Sequence, residues 1–298
     1  GDLHMKKLNF KKIDAFTKGA AQGNPAGYVL MDRSDTLNEK EMQKLARELK
    51  GFVNEVGFVS RQDKEFELKF FSSECEVAFC GHATIAIMYD LISTNSELSR
   101  EKELKIKVKG GILSVFNHLL EEDAVYIMAP EPKYLERQII WDEIAQALQT
   151  DISSFDREKP FQLIDGGLRT LIVPMASFDA CVGLHPHQEK LRQFCINKDF
   201  DIIHVFTEDV SLPQSGYRTR VFAPKYGYLE DPATGSGNSA FCYYLFQNKM
   251  WKGDFAIEQG TSVDNPNIVM MKRYETERTE KVLFGGCAAT RIAGNYFL

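Results

Sequence analysis

No cysteine in the 298-residue chain has a second one three positions away, so the paired-thiolate signature of a zinc site is missing. Its six cysteines, at 75, 80, 181, 195, 242 and 287, follow no regular framework and are expected to be reduced. Basic charge is short too. Lys and Arg number 36 against 42 Asp and Glu, a net of −6, which removes the electrostatic reason to expect a nucleic-acid partner. No apolar run reaches the roughly 18–20 residues that span a bilayer. A basic stretch followed by an apolar core is absent from the start, so the reading is cytoplasmic, with "GDLHM" as a cloning scar ending at Met5. The chain also lacks a Walker loop and a GxGxxG fingerprint, the usual phosphate and dinucleotide cradles.

What is present is an ordinary globular composition, 44% hydrophobic and 26% charged, long enough for one large domain or two medium ones. Alternating and β-branched stretches predict strands at 8–16, 26–32, 55–61, 65–72, 104–116 and 123–130, with Gly23-Asn24-Pro25 as the turn between the first two. A 3.6-residue apolar period predicts a helix over 36–51 and a second, almost wholly apolar one after Gly81. The proline cluster at 129–134 marks a domain boundary. Beyond it the order repeats: a helix over 136–150, a strand over 168–176, a helix over 187–197, strands over 202–209 and 217–224, then "LEDPATGSGNSAFCYYLF".

Residues 76–91 and 230–245 align without gaps at an offset of 154, about half the chain. Glu76 meets Glu230, Gly81 meets Gly235, Ala86 meets Ala240, Tyr89 meets Tyr243 and Leu91 meets Leu245. A period that long is two copies of one domain rather than a solenoid. A helix apolar on every side has to be buried, and a sheet curled around it is the natural solution. Each such helix opens on a glycine turn, whose unpaired N–H groups form a seat for a carboxylate. One site built from two pieces, 81–84 and 235–238, in a cleft between the halves is therefore expected.

Three groups of side chains could carry chemistry. Cys80 and His82 stand two apart. As a nucleophile–base dyad they are badly placed, because neighbours at that spacing in a tight turn seldom face each other. As a zinc site they need more ligands, and Cys75 is the nearest in sequence. Cys80 can equally be a packed small residue, and His82 either a helix cap or a site histidine kept neutral by the helix N-terminus. Glu55 is a lone carboxylate among Phe52, Val53, Val56, Phe58 and Val59. It is either a solvent-facing strand residue or a proton carrier in an apolar setting. Asp231, Thr234, Ser236 and Asn238 in "EDPATGSGN" suit a surface turn and helix cap, or the second half of the predicted site.

"GNPAG", "NEVGF", "CGHAT" and "DPATGS", in this order and spacing, resemble the phenazine-biosynthesis PhzF-like isomerases, which share the diaminopimelate-epimerase-like fold. The likeness runs from about residue 8 into the terminal "GGCAATRIAGNYFL". It implies an α/β (α+β) fold of two pseudo-symmetric domains, each a rolled, mostly antiparallel sheet around a central helix. The domains would span 6–129, completed by 288–298, and 130–287. The epimerases of this fold use one cysteine from each half. Cys80 matches the first, but Thr234 stands at the second, and a hydroxyl is too weak an acid to replace a thiol. In the PhzF-like branch a glutamate does the proton transfer, and Glu55 matches it.

The resemblance implies His82, Asp231 and Ser236 as its catalytic companions, with Asn24, Gly81, Thr234 and Gly235 binding substrate. It also implies a small carboxylate-bearing metabolite, no cofactor, no metal and a homodimer. Three departures touch the pocket. Asn54 and Val56 flank the glutamate where the family usually shows Ser-Glu-Thr. "EQGTSVDNPN" lacks the Gly-Arg-Pro-Ser that often follows EQG, and Gly237-Asn238 stands where Ala is usual. An epimerase using Cys80 and a non-catalytic small-molecule binder are the competing readings.

Overall fold

The computed structural model describes residues 5–32, 36–63 and 65–298. Most of the "GDLHM" segment, Gly1–His4, lies outside them, as do Arg33–Asp35 and Lys64. The chain divides into two compact units, Gly1–Met128 with Gly285–Leu298, and Ala129–Phe284. The architecture is mixed α/β, and no helix among the described residues is long and apolar enough to cross a membrane.

The first unit contains β1 (Lys7–Ala15), β2 (Asn24–Met31), α1 (Glu39–Glu48), β3 (Glu55–Gln62), β4 (Glu65–Ser72), β5 (Glu76–Val77), α2 (Gly81–Thr94), β6 (Glu103–Val108), β7 (Gly111–His118), α3 (Leu119–Glu122) and β8 (Ala124–Met128). The second continues with β9 (Lys133–Leu135), α4 (Trp141–Leu148), β10 (Gln162–Asp165), β11 (Arg169–Pro174), α5 (Phe178–Val182), α6 (Gln188–Lys198), β12 (Ile202–Thr207), β13 (Ser215–Phe222), β14 (Glu230–Asp231), α7 (Gly235–Gln247), β15 (Phe255–Gln259), β16 (Asn267–Glu275) and β17 (Glu280–Gly286). The last strand, β18 (Ala288–Phe297), returns to the first unit and pairs antiparallel with β1.

The duplication is topological as well as sequential. In the first unit β1–β2 is antiparallel, β2–β3 parallel, β3–β4 and β4–β5 antiparallel, β4–β6 parallel and β6–β7 antiparallel. In the second unit β10–β11, β11–β12, β12–β13, β13–β14, β13–β15 and β15–β16 repeat those senses one for one. Even a detail of register recurs: Phe71 opposes Glu76 in the first, and Phe222 opposes Glu230 in the second.

Each sheet places a central helix on one face and outer helices on the other. In β3 the period of two sends Val56 and Phe58 to a core shared with Met42, Leu45 and Ala46 of α1. Glu55, Gly57 and Val59 point the opposite way, towards α2. That helix buries Ile85, Ile87, Met88, Leu91 and Ile92, about 1.5–3 kcal/mol of apolar burial for each. Its single carboxylate, Asp90, is satisfied inside the unit by Lys11 Nζ at 2.9 Å and by the hydroxyl of Tyr28. Gly57 lets the helix come close, since a Cβ there would lie 2.3 Å from Ile87 Cδ1. In the second unit α7 turns Phe241 onto His204 and Phe206 of β12, with ring centroids at 4.9 and 4.6 Å. The outer face of that sheet packs α4, α5 and α6 on Leu171, Val173, Ile203 and Val205.

Two local expectations need correction. The helix expected over 136–150 begins at Trp141, because Glu143 reaches back to the Ile140 N–H and fixes the first turn there. Residues 133–135, within and just after the proline-rich boundary, form a strand paired with β10. The Gly-Asn-Pro turn is also shorter than expected: Asn24 and Pro25 already pair with Ala15 and Asp14, and proline at a strand's start forfeits little. The reversal falls on the preceding loop, where Phe16 and Gly23 take positive φ of 63° and 70°.

Candidate active site

The start of β2, the start of β3 and the N-terminus of α2 converge inside the first unit, bringing Asn24–Pro25, Glu55, Cys80, Gly81 and His82 together. His82 connects them. Its Nε2 lies 3.2 Å from the Pro25 carbonyl, an atom that can only accept, so Nε2 carries the hydrogen. Its Nδ1 lies 3.4 Å from Cys80 Sγ. Cys80 and His82 therefore do face each other, against the expectation from their spacing. Cys80 is not yet helical (φ −136°, ψ 109°), so the two side chains leave the backbone in unlike directions and converge.

Glu55 Oε2 approaches His82 Nε2 to 3.3 Å, off the line to Pro25. That oxygen is buried and takes part in no hydrogen bond. The expectation of a neutral imidazole needs revision. Burial opposes the charged ring, but Cys80 and the Glu55 carboxylate favour it and outweigh burial, holding His82 well above the usual histidine value. Burial pushes the Cys80 thiol up, with His82 opposing. Cys75, the nearest thiol in sequence, is exposed beside Ser72, 3.9 Å from its hydroxyl. The third atom close to Cys80 and His82 comes from Glu55, and one ligand atom from each of the three lies within 4.8 Å of the others.

The corresponding turn of the second unit is organised by a polar chain that sequence reasoning missed. Asn238 is fully buried on α7. Its Oδ1 accepts from His204 Nε2 at 2.8 Å and from Thr219 Oγ1 at 3.2 Å. Its Nδ2 donates to the Thr234 carbonyl at 2.9 Å and to Gln259 Oε1 at 2.8 Å. Gln259 in turn accepts from Thr234 N at 3.2 Å and donates to the Asp231 carbonyl at 3.0 Å. Both ends of the Asp231–Thr234 turn are thereby tied to one buried amide pair.

Thr234 caps α7, its hydroxyl 3.4 Å from Gly237 N, and Gly235 admits the ring of Phe284, which a Cβ would meet at 2.3 Å. Ser236 Oγ lies under Gly167, 3.0 Å from where a Cβ would stand, at a position with φ +127° that favours glycine. Burial drags His204 down to about 4 and keeps it neutral. The signals for this chain were Asn238 in a place the family usually gives to Ala, and the Gln of "EQG".

Each unit wraps its sheet on a central helix, and in the first a half-buried carboxylate meets an imidazole at that helix's mouth. The family model for phenazine biosynthesis-like proteins, PhzC-PhzF, matches residues 13–294, and the chain belongs to that family. An uncharacterized isomerase of Bacillus subtilis, YfhB, is 30% identical over 97% of this chain and 99% of its own. The trans-2,3-dihydro-3-hydroxyanthranilate isomerase of Pseudomonas aeruginosa is 26% identical over 96% of this chain and 98% of its own. Among solved structures, a PhzF-family phenazine biosynthesis protein of Bacillus anthracis superposes with a TM-score of 0.86. It is 25% identical and covers 99% of this chain and 100% of its own.

Proposed function

We propose that this isomerase moves a proton on a small carboxylate-bearing metabolite without a cofactor, using Glu55 as the acid/base. The observation that carries the proposal is Glu55 Oε2: a buried carboxylate oxygen whose lone pairs enter no hydrogen bond. A carboxylate fully tied to donors has no lone pair to spare, whereas this oxygen is open to a C–H placed against it. His82, anchored on Pro25, stands 3.3 Å from that oxygen and fixes where the carboxylate lies. Asn24 and the Gly81 turn bind the same substrate in this reading. The relative named for a hydroxyanthranilate supports a carboxylate substrate.

The 3.4 Å Cys80–His82 contact favours a second reading, in which the thiol is the base. Thr234 at the matching position of the second unit, committed to capping α7, weighs against it. Incubation in deuterated water with a panel of cyclic and α-amino carboxylates, read by mass spectrometry, separates the two. Under the proposal Glu55→Gln folds normally and loses label by at least about a hundredfold, the low end for acid/base catalysis, while Cys80→Ser retains incorporation. Incorporation surviving in Glu55→Gln and lost in Cys80→Ser would transfer the role to the thiol.

A further inference from the structure

We propose that Cys80, His82 and Glu55 also form a three-ligand site for a soft divalent cation of the zinc class, which silences the acid/base when it binds. The sequence lacks every usual zinc spacing, yet the fold assembles the donors from two elements 25 residues apart. In a tetrahedral zinc site, metal–sulfur and metal–nitrogen bonds of about 2.3 and 2.0–2.1 Å put sulfur and nitrogen roughly 3.5 Å apart. Cys80 Sγ and His82 Nδ1 already stand 3.4 Å apart, so that edge is preformed.

The other ring nitrogen completes the case. Metal-binding histidines hold their second N–H on a carbonyl or carboxylate, which fixes the tautomer and aims the lone pair. His82 does this with Pro25 at 3.2 Å, leaving Nδ1 as the nitrogen turned to the thiol. Glu55 supplies the third donor. One ligand atom from each of the three lies within 4.8 Å of the others; Glu55 Oε2 meets the ring at Nε2, 3.3 Å away, and has to swing along the ring edge towards Nδ1 to close the set. The fourth tetrahedral position is left to water. On binding, the thiol proton, and a ring proton where His82 carries one, pass to solvent as the metal–sulfur and metal–nitrogen bonds form. The carboxylate then spends its lone pair on the metal and has none for a C–H.

The geometry alone supports the binding. The silencing rests on Glu55 as the proton carrier. Titration of the purified protein with Co²⁺ is the test, because a cobalt–thiolate bond adds a charge-transfer absorption that oxygen and nitrogen ligands do not give. The expected result is one equivalent of that band in the wild type and in Cys75→Ser, which removes the exposed thiol. Cys80→Ser loses the band, and His82→Gln and Glu55→Gln bind Co²⁺ and Zn²⁺ at least about tenfold more weakly. Far-ultraviolet circular dichroism reports folding, and a variant that fails to fold is replaced by Cys80→Ala or His82→Asn.

No band in the wild type, a band that survives in Cys80→Ser, or unchanged affinity in Glu55→Gln overturns the site. A band lost in Cys75→Ser does the same. Should Glu55→Gln weaken the metal yet keep proton exchange, the cation site stands and the acid/base reading falls.

Discussion

Gly57 offers the sharpest test of how α2 is seated on the sheet. A methyl added there would sit 2.3 Å from Ile87 Cδ1, with the next atoms at 3.6 Å (Phe70 Cε1) and 3.7 Å (Ile87 Cγ1). One carbon alone blocks the position, and it is the carbon that Ile→Val removes. Gly57→Ala by itself forces a fully buried isoleucine off its rotamer or lifts α2, at about 1–3 kcal/mol. Ile87→Val by itself leaves a methyl-sized gap, at about 0.5–1.5 kcal/mol.

Combined, the two substitutions relocate one methyl across the contact, and the remaining neighbours lie at ordinary van der Waals distance. The double variant should therefore fall near wild type, within about 0.5 kcal/mol, with a coupling energy of about 1–3 kcal/mol between the sites. Urea unfolding followed by far-ultraviolet circular dichroism measures the cycle, the first unit's transition being followed if two appear. A Gly57→Ala variant as stable as wild type, or a double variant whose loss equals the sum of the single losses, refutes the close approach. Because Glu55 lies two residues before Gly57 on the same face, Gly57→Ala should also weaken proton exchange, and Ile87→Val should restore it.

Two further outcomes follow from buried polar groups of the second unit. His204 is neutral when folded, at about 4 against an ordinary 6.5, so its contribution is present above pH 6.5 and lost as pH falls towards 4. That gap amounts to roughly 3 kcal/mol of acid sensitivity, and His204→Gln, which can still donate to Asn238, should flatten stability over this window in pH-dependent urea melts. Arg218 and Glu258 form an ion pair at 2.5 Å with no exposed side-chain surface. Arg218→Met should cost about 3–5 kcal/mol in the same assay by leaving Glu258 unpaired, and adding Glu258→Gln should recover part of the loss.

The helices at the heart of each unit were legible because they are apolar on all sides, and their shared turn chemistry exposes the duplication in the sequence itself. Glu55 was legible only as a carboxylate out of keeping with its neighbours; its unpartnered oxygen depends on where α2 comes to rest. The facing of Cys80 and His82 was not legible at all, since it turns on one extended residue at a helix mouth. Nor was the chain of His204, Asn238 and Gln259, whose bonded pairs lie 34 and 21 residues apart and meet only where α7 packs on the sheet. Residues 136–140 read as helix because helical and extended apolar patterns overlap in short runs; the N-terminal stop came from one glutamate side chain.

The pairing of β1 with β18 joins Lys7 to Phe297. During synthesis the first unit must wait for that strand, while every strand and helix of the second has already left the ribosome. Until then the outer edge of β1 presents unpaired backbone groups, the usual template for misassociation between chains. The half that holds Glu55, Cys80 and His82 is thus the half finished last, and its maturation is timed by the arrival of β18.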